Sequence, residues 1–333
     1  MADAPTTFDH ARQMMQVGEY EKAVIACSHL LQLSPHGEFY CLRAEAYVEI
    51  GQLSLAMADV DAALAIDPYN ALAHCRKGEI FWANGNIERA LSELQIAISQ
   101  HDGCYEAHNN LGAVHYEAGD FHSAVERFSR ALALSPEYGA AYANRGRAYA
   151  ALDNVMKAEA DLVRAIEIIR APRHLSSAYC SLGLVEFRME KFIEAADAFD
   201  CAKRATGDIE ATYLVFGAYA KFQLAESAGD FREQKKWLES AMEDAEIANR
   251  RGCEGAALIL ERIRNALNHV NQPRIHHQEE PMGFGEIRLI RRGPRRVSQP
   301  YYGNIQCGGC GLLYWYTQPC CHRCGCPNPH CPY

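Results

Sequence analysis

Residues 105–138 read YEAHNNLGAVHYEAGDFHSAVERFSRALALSPEY. Two amphipathic segments flank Ala118-Gly119-Asp120, and Ser135-Pro136 closes the second. The first segment carries His108, Leu111, Gly112 and His115 on one face; the second carries Ala124, Phe128 and Ala131 on its inner face. Small side chains at Gly112, Ala124 and Ala131 predict two helices in close approach, with Phe128 filling the gap beside them. Such a pair buries one face internally and leaves apolar edges that only a neighbouring pair can cover. The stretch therefore predicts copies of itself.

The copies are present. The turn position of Gly119 recurs as Gly18, Gly51, Gly85, Asp153, Glu190 and Gly229, with spacings of 33, 34, 34, 34, 37 and 39 residues along the chain. Five residues after each of the first six turns stands an alanine: Ala23, Ala56, Ala90, Ala124, Ala158 and Ala195. Seven residues further come Leu30, Ala63, Ala97, Ala131, Ala165 and Ala202. Pro35, Pro68 and Pro136 stop the second segment of three copies, because proline cannot continue a helix. On these features the unit resembles the tetratricopeptide repeat, a 34-residue helix–turn–helix element. The resemblance implies an all-α fold, a right-handed α-α superhelix or solenoid.

The units are placed at about 4–36, 37–70, 71–104, 105–138, 139–172 and 176–207, so that 4–207 forms six repeats. The fifth ends irregularly at Ile169-Arg170-Ala171-Pro172, where the spacing slips by three residues. Residues 208–270 are expected to hold a longer, divergent seventh pair, turning at Ala228-Gly229-Asp230, and a last helix over 254–270. In that helix Leu260, Ile263, Leu267 and Val270 form an apolar stripe suited to capping a solenoid's open end. Residues 271–303 are rich in proline, glycine and arginine and read as a basic linker. Residues 304–333 form a separate cysteine-rich module.

That module contains Cys-x-x-Cys-Gly twice, as Cys307/Cys310/Gly311 and Cys321/Cys324/Gly325. Thiolates three residues apart can share one tetrahedral ion through the turn between them, and four Zn–S bonds close a structural site. Leu312–Thr317, between the turns, is apolar and aromatic with strand propensity. The module resembles a zinc ribbon, which implies a small β unit holding Zn2+ on Cys307, Cys310, Cys321 and Cys324. Cys320, Cys326, Cys331, His322 and His330 remain as alternative or additional ligands. Iron on the same thiolates, as in rubredoxin-like proteins, or dithiol redox chemistry are the competing readings. The second lacks the helix-opening βαβ setting that such dithiols use.

Charge is unevenly spread. The 333 residues carry a formal net charge of −9 with 33 Lys+Arg, yet residues 271–333 contain seven arginines, no lysine and three glutamates. An acidic body is thus followed by a basic tail. The N-terminus lacks a basic start followed by an apolar run, which reads as no secretion signal. No uncharged apolar run reaches the length of about 18 residues that a membrane span needs. Seven of the 14 cysteines are scattered singly over residues 1–270, a usage that fits a reducing compartment; cytoplasm is the expectation.

In a tetratricopeptide array the first helix of each unit lines the concave face. Positions 2, 5, 6, 9 and 12 of those helices place Arg76, Glu79 and Trp82, then Glu106, Asn109, Asn110 and Tyr116, then Asn144 and Arg147, along one stripe. Asn110 and Asn144 share position 6, where the family often uses asparagine to bind the backbone of an extended peptide. The family's carboxylate clamp for chaperone C-termini needs a Lys/Asn pair at positions 5 and 9. Here those positions hold Cys41/Glu45, Cys75/Glu79 and Asn109/Ala113, which disfavours it. No phosphate-binding glycine loop, nucleophile elbow or His-Glu-x-x-His motif is present. The expectation is a non-catalytic adaptor or scaffold that binds protein or peptide segments in its groove. The alternative is nucleic-acid attachment through Arg291, Arg292, Arg295 and Arg296 together with the aromatic residues Tyr301, Tyr302, Tyr314, Trp315 and Tyr316.

Overall fold

Helix follows helix through residues 7–271 in the computed structural model, which also describes the backbone of 305–306 and 313–314. The first five pairs are α1 (Phe8–Gln16) with α2 (Tyr20–Leu33), α3 (Gly37–Glu49) with α4 (Leu53–Ile66), and α5 (Ala71–Ala83) with α6 (Ile87–Gln100); α7 (Tyr105–Glu117) with α8 (Phe121–Leu134), and α9 (Gly139–Ala151) with α10 (Val155–Ile168). Two longer pairs follow, α11 (Pro172–Arg188) with α12 (Phe192–Thr206) and α13 (Ala211–Ser227) with α14 (Phe231–Arg250), before α15 (Ala256–Asn271). Residues 1–270 and 271–333 form separate units.

The turn inside each of the first six pairs is the same hydrogen-bonded device. Gly119 N–H donates to Tyr116 O at 3.0 Å and Asp120 N–H to His115 O at 2.9 Å, which ties off two of the orphan carbonyls at the end of α7. This closure requires a left-handed residue, and Gly18, Gly51, Gly85 and Gly119 have φ between 75° and 80°. Asp153 and Glu190 adopt the same conformation at φ 61° and 59°, despite the clash that a Cβ incurs there. Gly229 departs from the expected pattern: its φ is not positive, and α13 ends in extended backbone at Ala228. The following helix is started by a side-chain cap where the residue permits it. Asn86, Asp120 and Asn154 accept from the backbone N–H three residues on.

Within a pair the packing is decided by glycine opposite a large side chain. A Cβ added to Gly112 would lie 2.7 Å from the Phe128 ring, and one on Gly183 2.9 Å from Phe199. The equivalent glycines Gly78 and Gly146 lie under Leu94 and Leu162 at 2.8 Å. All four partners are fully buried or nearly so, each worth roughly 1.5–3 kcal/mol of burial. The alanine series Ala23, Ala56, Ala90, Ala124, Ala158 and Ala195 is buried throughout. His115 does not join the packed face as expected; it is half-buried, with Nδ1 3.9 Å from Asp120.

Each second helix packs on the first helix of the next pair, and first helices also touch one another along α1–α3–α5–α7–α9–α11–α13. The first helices therefore form the inner layer. Two arginines pin that layer to the outer one. Arg43 grips Asp59 through Nε and Nη2 at 2.7 and 2.6 Å and reaches Ser28 on the preceding pair. Three units on, Arg145 does the same to Asp161 and Ser129.

The sixth pair begins earlier than the expected residue 176. Pro172 opens α11 at its first turn, where a missing N–H costs nothing, and makes α11 17 residues long against 13 for α9. The three-residue slip is thus spent on an extra helical turn. In the seventh pair Lys221 is buried between Asp200 and Asp244 at 2.8 and 2.5 Å, with Lys203 also on Asp244. Ile259, Leu260, Ile263 and Val270 of α15 then cover Phe222, Leu238, Ala241 and Ala245. In the second unit, β1 (Ile305–Gln306) pairs antiparallel with β2 (Leu313–Tyr314), Ile305 opposite Tyr314.

Candidate groove on the inner helices

The inner layer places the sequence-selected residues on three neighbouring helices. On α5, Arg76 is buried, with Nη2 2.6 Å from Glu45 of α3 and Nη1 2.8 Å from Glu79 one turn along. Burial raises the Glu45 carboxyl above its usual range; Arg76 opposes this, and Glu79, Glu106 and Glu49 add to it. One guanidinium thus sits among four carboxylates. Tyr105 and Tyr138 meet edge to face at 4.9 Å beside this cluster, and burial, reinforced by Glu106, holds both phenols protonated.

At the level of Cys75 and Arg76, side-chain amides link three pairs. Asn144 of α9 donates to Asn109 Oδ1 at 3.1 Å, Asn109 donates to Asn110 Oδ1 at 3.2 Å, and Asn110 donates to Cys75 Sγ at 3.6 Å. Toward the ends of the same helices, Trp82 Nε1 donates to Glu117 at 2.6 Å and the Arg147 guanidinium lies 5.0 Å over the Tyr116 ring.

Arg76 with Glu79, Asn109 with Asn110 and Asn144, and Tyr116 with Arg147 are therefore in contact, while Trp82 is joined to Glu117. The stripe is less open than the sequence predicts. Asn109 and Asn110 are 5% and 7% exposed, because each uses its amide on the other or on Cys75, whereas Asn144 is half-buried and Arg147 exposed. Sequence reasoning passed over Glu45, Tyr105, Glu117 and Tyr138 as groove residues. Glu45 and Glu79 occupy the same unit position one repeat apart, a signal that was present in the spacing. The tyrosines enter the site only through tertiary contact. Among the described residues no three His, Cys, Asp or Glu side chains gather to hold a metal. Cys307, Cys310, Cys321 and Cys324 lie outside the described residues.

Models of the tetratricopeptide repeat match residues 37–70, 75–121 and 105–138. Tetratricopeptide repeat protein 36 of Homo sapiens is 30% identical over 129 residues, covering 37% of this chain and 68% of that protein. The chain belongs to the tetratricopeptide repeat family. Tetratricopeptide repeat protein 6 of Homo sapiens is 27% identical over 199 residues, 58% of this chain but only 38% of that relative, so the chain spans about two fifths of it. Among solved structures, the APC/C hetero-tetramer Cut9-Hcn1 superposes with a TM-score of 0.60 over 76% of this chain and 48% of the other, at 15% identity. That likeness is one of fold. The matched tetratricopeptide units carry Arg76 through Tyr116, and Asn144 and Arg147 stand in the next. Among the described residues no helix is long and apolar enough to cross a membrane.

Proposed function

We propose that the chain is a non-catalytic adaptor whose tetratricopeptide array takes an extended protein segment along its inner helices, at Trp82, Tyr116, Asn144 and Arg147. The observation that carries this reading is the amide row from Asn144 to Cys75, which crosses three neighbouring inner helices at one level. Within the row Asn109 and Asn110 spend their amides on each other and on Cys75 and hold Asn144 in place, so the half-buried Asn144 is the amide offered to a peptide backbone, and the flanking Trp82 and Tyr116 supply apolar contact for its side chains. The carboxylates around Arg76 favour a neutral or basic segment over an acidic one. The test is selection of peptides from a random display library on the full chain, followed by measurement of the selected peptide against variants. Asn144→Ala is expected to weaken binding about tenfold, a loss of about 1.4 kcal/mol for a lost backbone contact. Selected peptides that bind Asn144→Ala and Trp82→Ala as tightly as the parent would place the ligand elsewhere.

The tail reading belongs to the same proposal: Cys307, Cys310, Cys321 and Cys324 hold one structural Zn2+. The antiparallel pairing of 305–306 with 313–314 supports it, since these strands flank Cys307 and Cys310 in the chain. The cysteines of residues 7–271 are free thiols, mostly buried, which supports a reducing, cytoplasmic setting. The competing reading, nucleic-acid attachment through Arg291, Arg292, Arg295 and Arg296, is separated by one assay. Salt-dependent RNA or DNA binding by the full chain that vanishes when these arginines become alanine would favour it.

A further inference from the structure

The slip before the sixth pair brings distant parts of the array together. Ala171 and Pro172, at the start of α11, lie against Gly18 in the turn between α1 and α2. A Cβ placed on Gly18 would be 3.5 Å from Ala171 Cβ and 3.3 Å from Pro172 Cδ. The next two residues reach the end of α3. Arg173 Nη1 donates to the Glu49 backbone carbonyl at 3.4 Å, and His174 Nε2 stands 3.4 Å from Glu49 Oε2. The partners are separated by more than 120 residues of sequence, with the third, fourth and fifth pairs between them. Tyr20 backs the contact from α2 and is buried.

We propose that residues 171–174 are a latch that closes the array on itself by clamping the sixth helix pair to the first two.

Three features argue for a built contact. The latch residues are those of the three-residue slip, so the departure from the 34-residue spacing and the long-range contact have one cause. In its apolar half Ala171 is 5% exposed, while Pro172 packs on Gly18 from the solvent side. Its polar half is complementary. Burial alone would raise Glu49, yet the His174 hydrogen bond and the charges of His174, Arg173 and Arg76 bring it below the usual range. The same hydrogen bond raises His174 above the ordinary imidazole value, against burial and Arg173. Both shifts favour the charged pair. Clamping the first two pairs to the sixth fixes the curvature of the three pairs between, which carry Arg76 through Arg147. The latch stands whatever those residues bind.

The closest approach supplies the test. A disulfide needs a Cβ–Cβ separation of about 3.5–4.5 Å; the Gly18–Ala171 geometry lies at the lower end of that range, and Asp153 and Glu190 show that the left-handed turn position accommodates a side chain. In the full chain, Gly18→Cys with Ala171→Cys is expected to give an 18–171 cross-linked peptide under mild oxidation, seen by mass spectrometry, with unchanged helicity. Adding Glu49→Gln and His174→Gln is expected to slow cross-linking at least fivefold. Amide exchange in the parent array should quicken about tenfold at 18–19 and 175–176, whose N–H groups are hydrogen-bonded, with α7 unaffected, when only Glu49 and His174 are replaced. A folded double-cysteine variant whose thiols both alkylate but do not cross-link overturns the latch. So does a cross-linking rate indifferent to removal of the charges.

Discussion

Glu186 is the least comfortable residue in the array. It is 7% exposed, its Oε2 has no hydrogen-bond partner among the described residues, and Glu159, Glu194 and Asp197 are nearby. Burial first, and then these carboxylates, push it up to about 7. An acid whose folded value exceeds its unfolded one holds its proton more tightly when folded. Its contribution is therefore intact below about pH 4.5, the ordinary glutamate value, and is lost as pH rises toward 7. Glu186→Gln removes the titrating group. It is expected to raise stability at pH 8 by about 2 kcal/mol and to flatten the decline between pH 4.5 and 7, read by urea denaturation across that range.

Between helices, the packing of Phe128 beside Gly112 was readable from the pattern of small and large positions, whereas the leucines over Gly78 and Gly146 emerge from the structure. The Arg–Asp clamps were not readable either. Arg43 and Arg145 recur three units apart, but the intermediate equivalents are Lys77 and Leu111, so no unbroken period announced them. Their role follows from burial. Asp161 accepts two hydrogen bonds from Arg145 at an inner-to-outer helix joint. Asp161→Ala leaves that guanidinium half-dry without its anion, and a cost of about 3 kcal/mol is expected. A drop in the urea midpoint with unchanged slope would bear this out; a shift within 0.5 kcal/mol, the range of about neutral surface substitutions, would not. The same logic explains why the seventh pair, which read as loose from its spacing, is tied within itself and to the sixth: Lys221 of α13 brings Asp244 of α14 and Asp200 of α12 together at a place where no repeat position foretold it.

Across the whole molecule, the two units are expected to respond separately to metal. Chelation, or Cys307→Ser with Cys321→Ser, is expected to abolish one equivalent of zinc and unfold only the tail, because a closed site of this kind supplies most of a small module's folding energy. Near-constant helical circular dichroism with loss of zinc in metal analysis is the expected record. A cooperative loss of array helicity would show that the units fold as one. The repeat architecture was determined by the sequence alone, because each unit needs only local turn closure and a neighbour to cover its apolar edge, and both leave marks at fixed intervals. The inner stripe was legible as positions: Arg76, Asn109, Asn110, Asn144 and Arg147 do lie on the first helices. Which of them face outward was decided by tertiary structure, since Asn109 and Asn110 turn their amides to each other and to Cys75 once three helices meet. The extra turn of α11 appears in sequence only as a lapse in spacing. It acquires meaning when the chain curls through the third, fourth and fifth pairs and sets Ala171 against Gly18, a proximity that no local pattern encodes because it is the sum of every inter-pair angle between them.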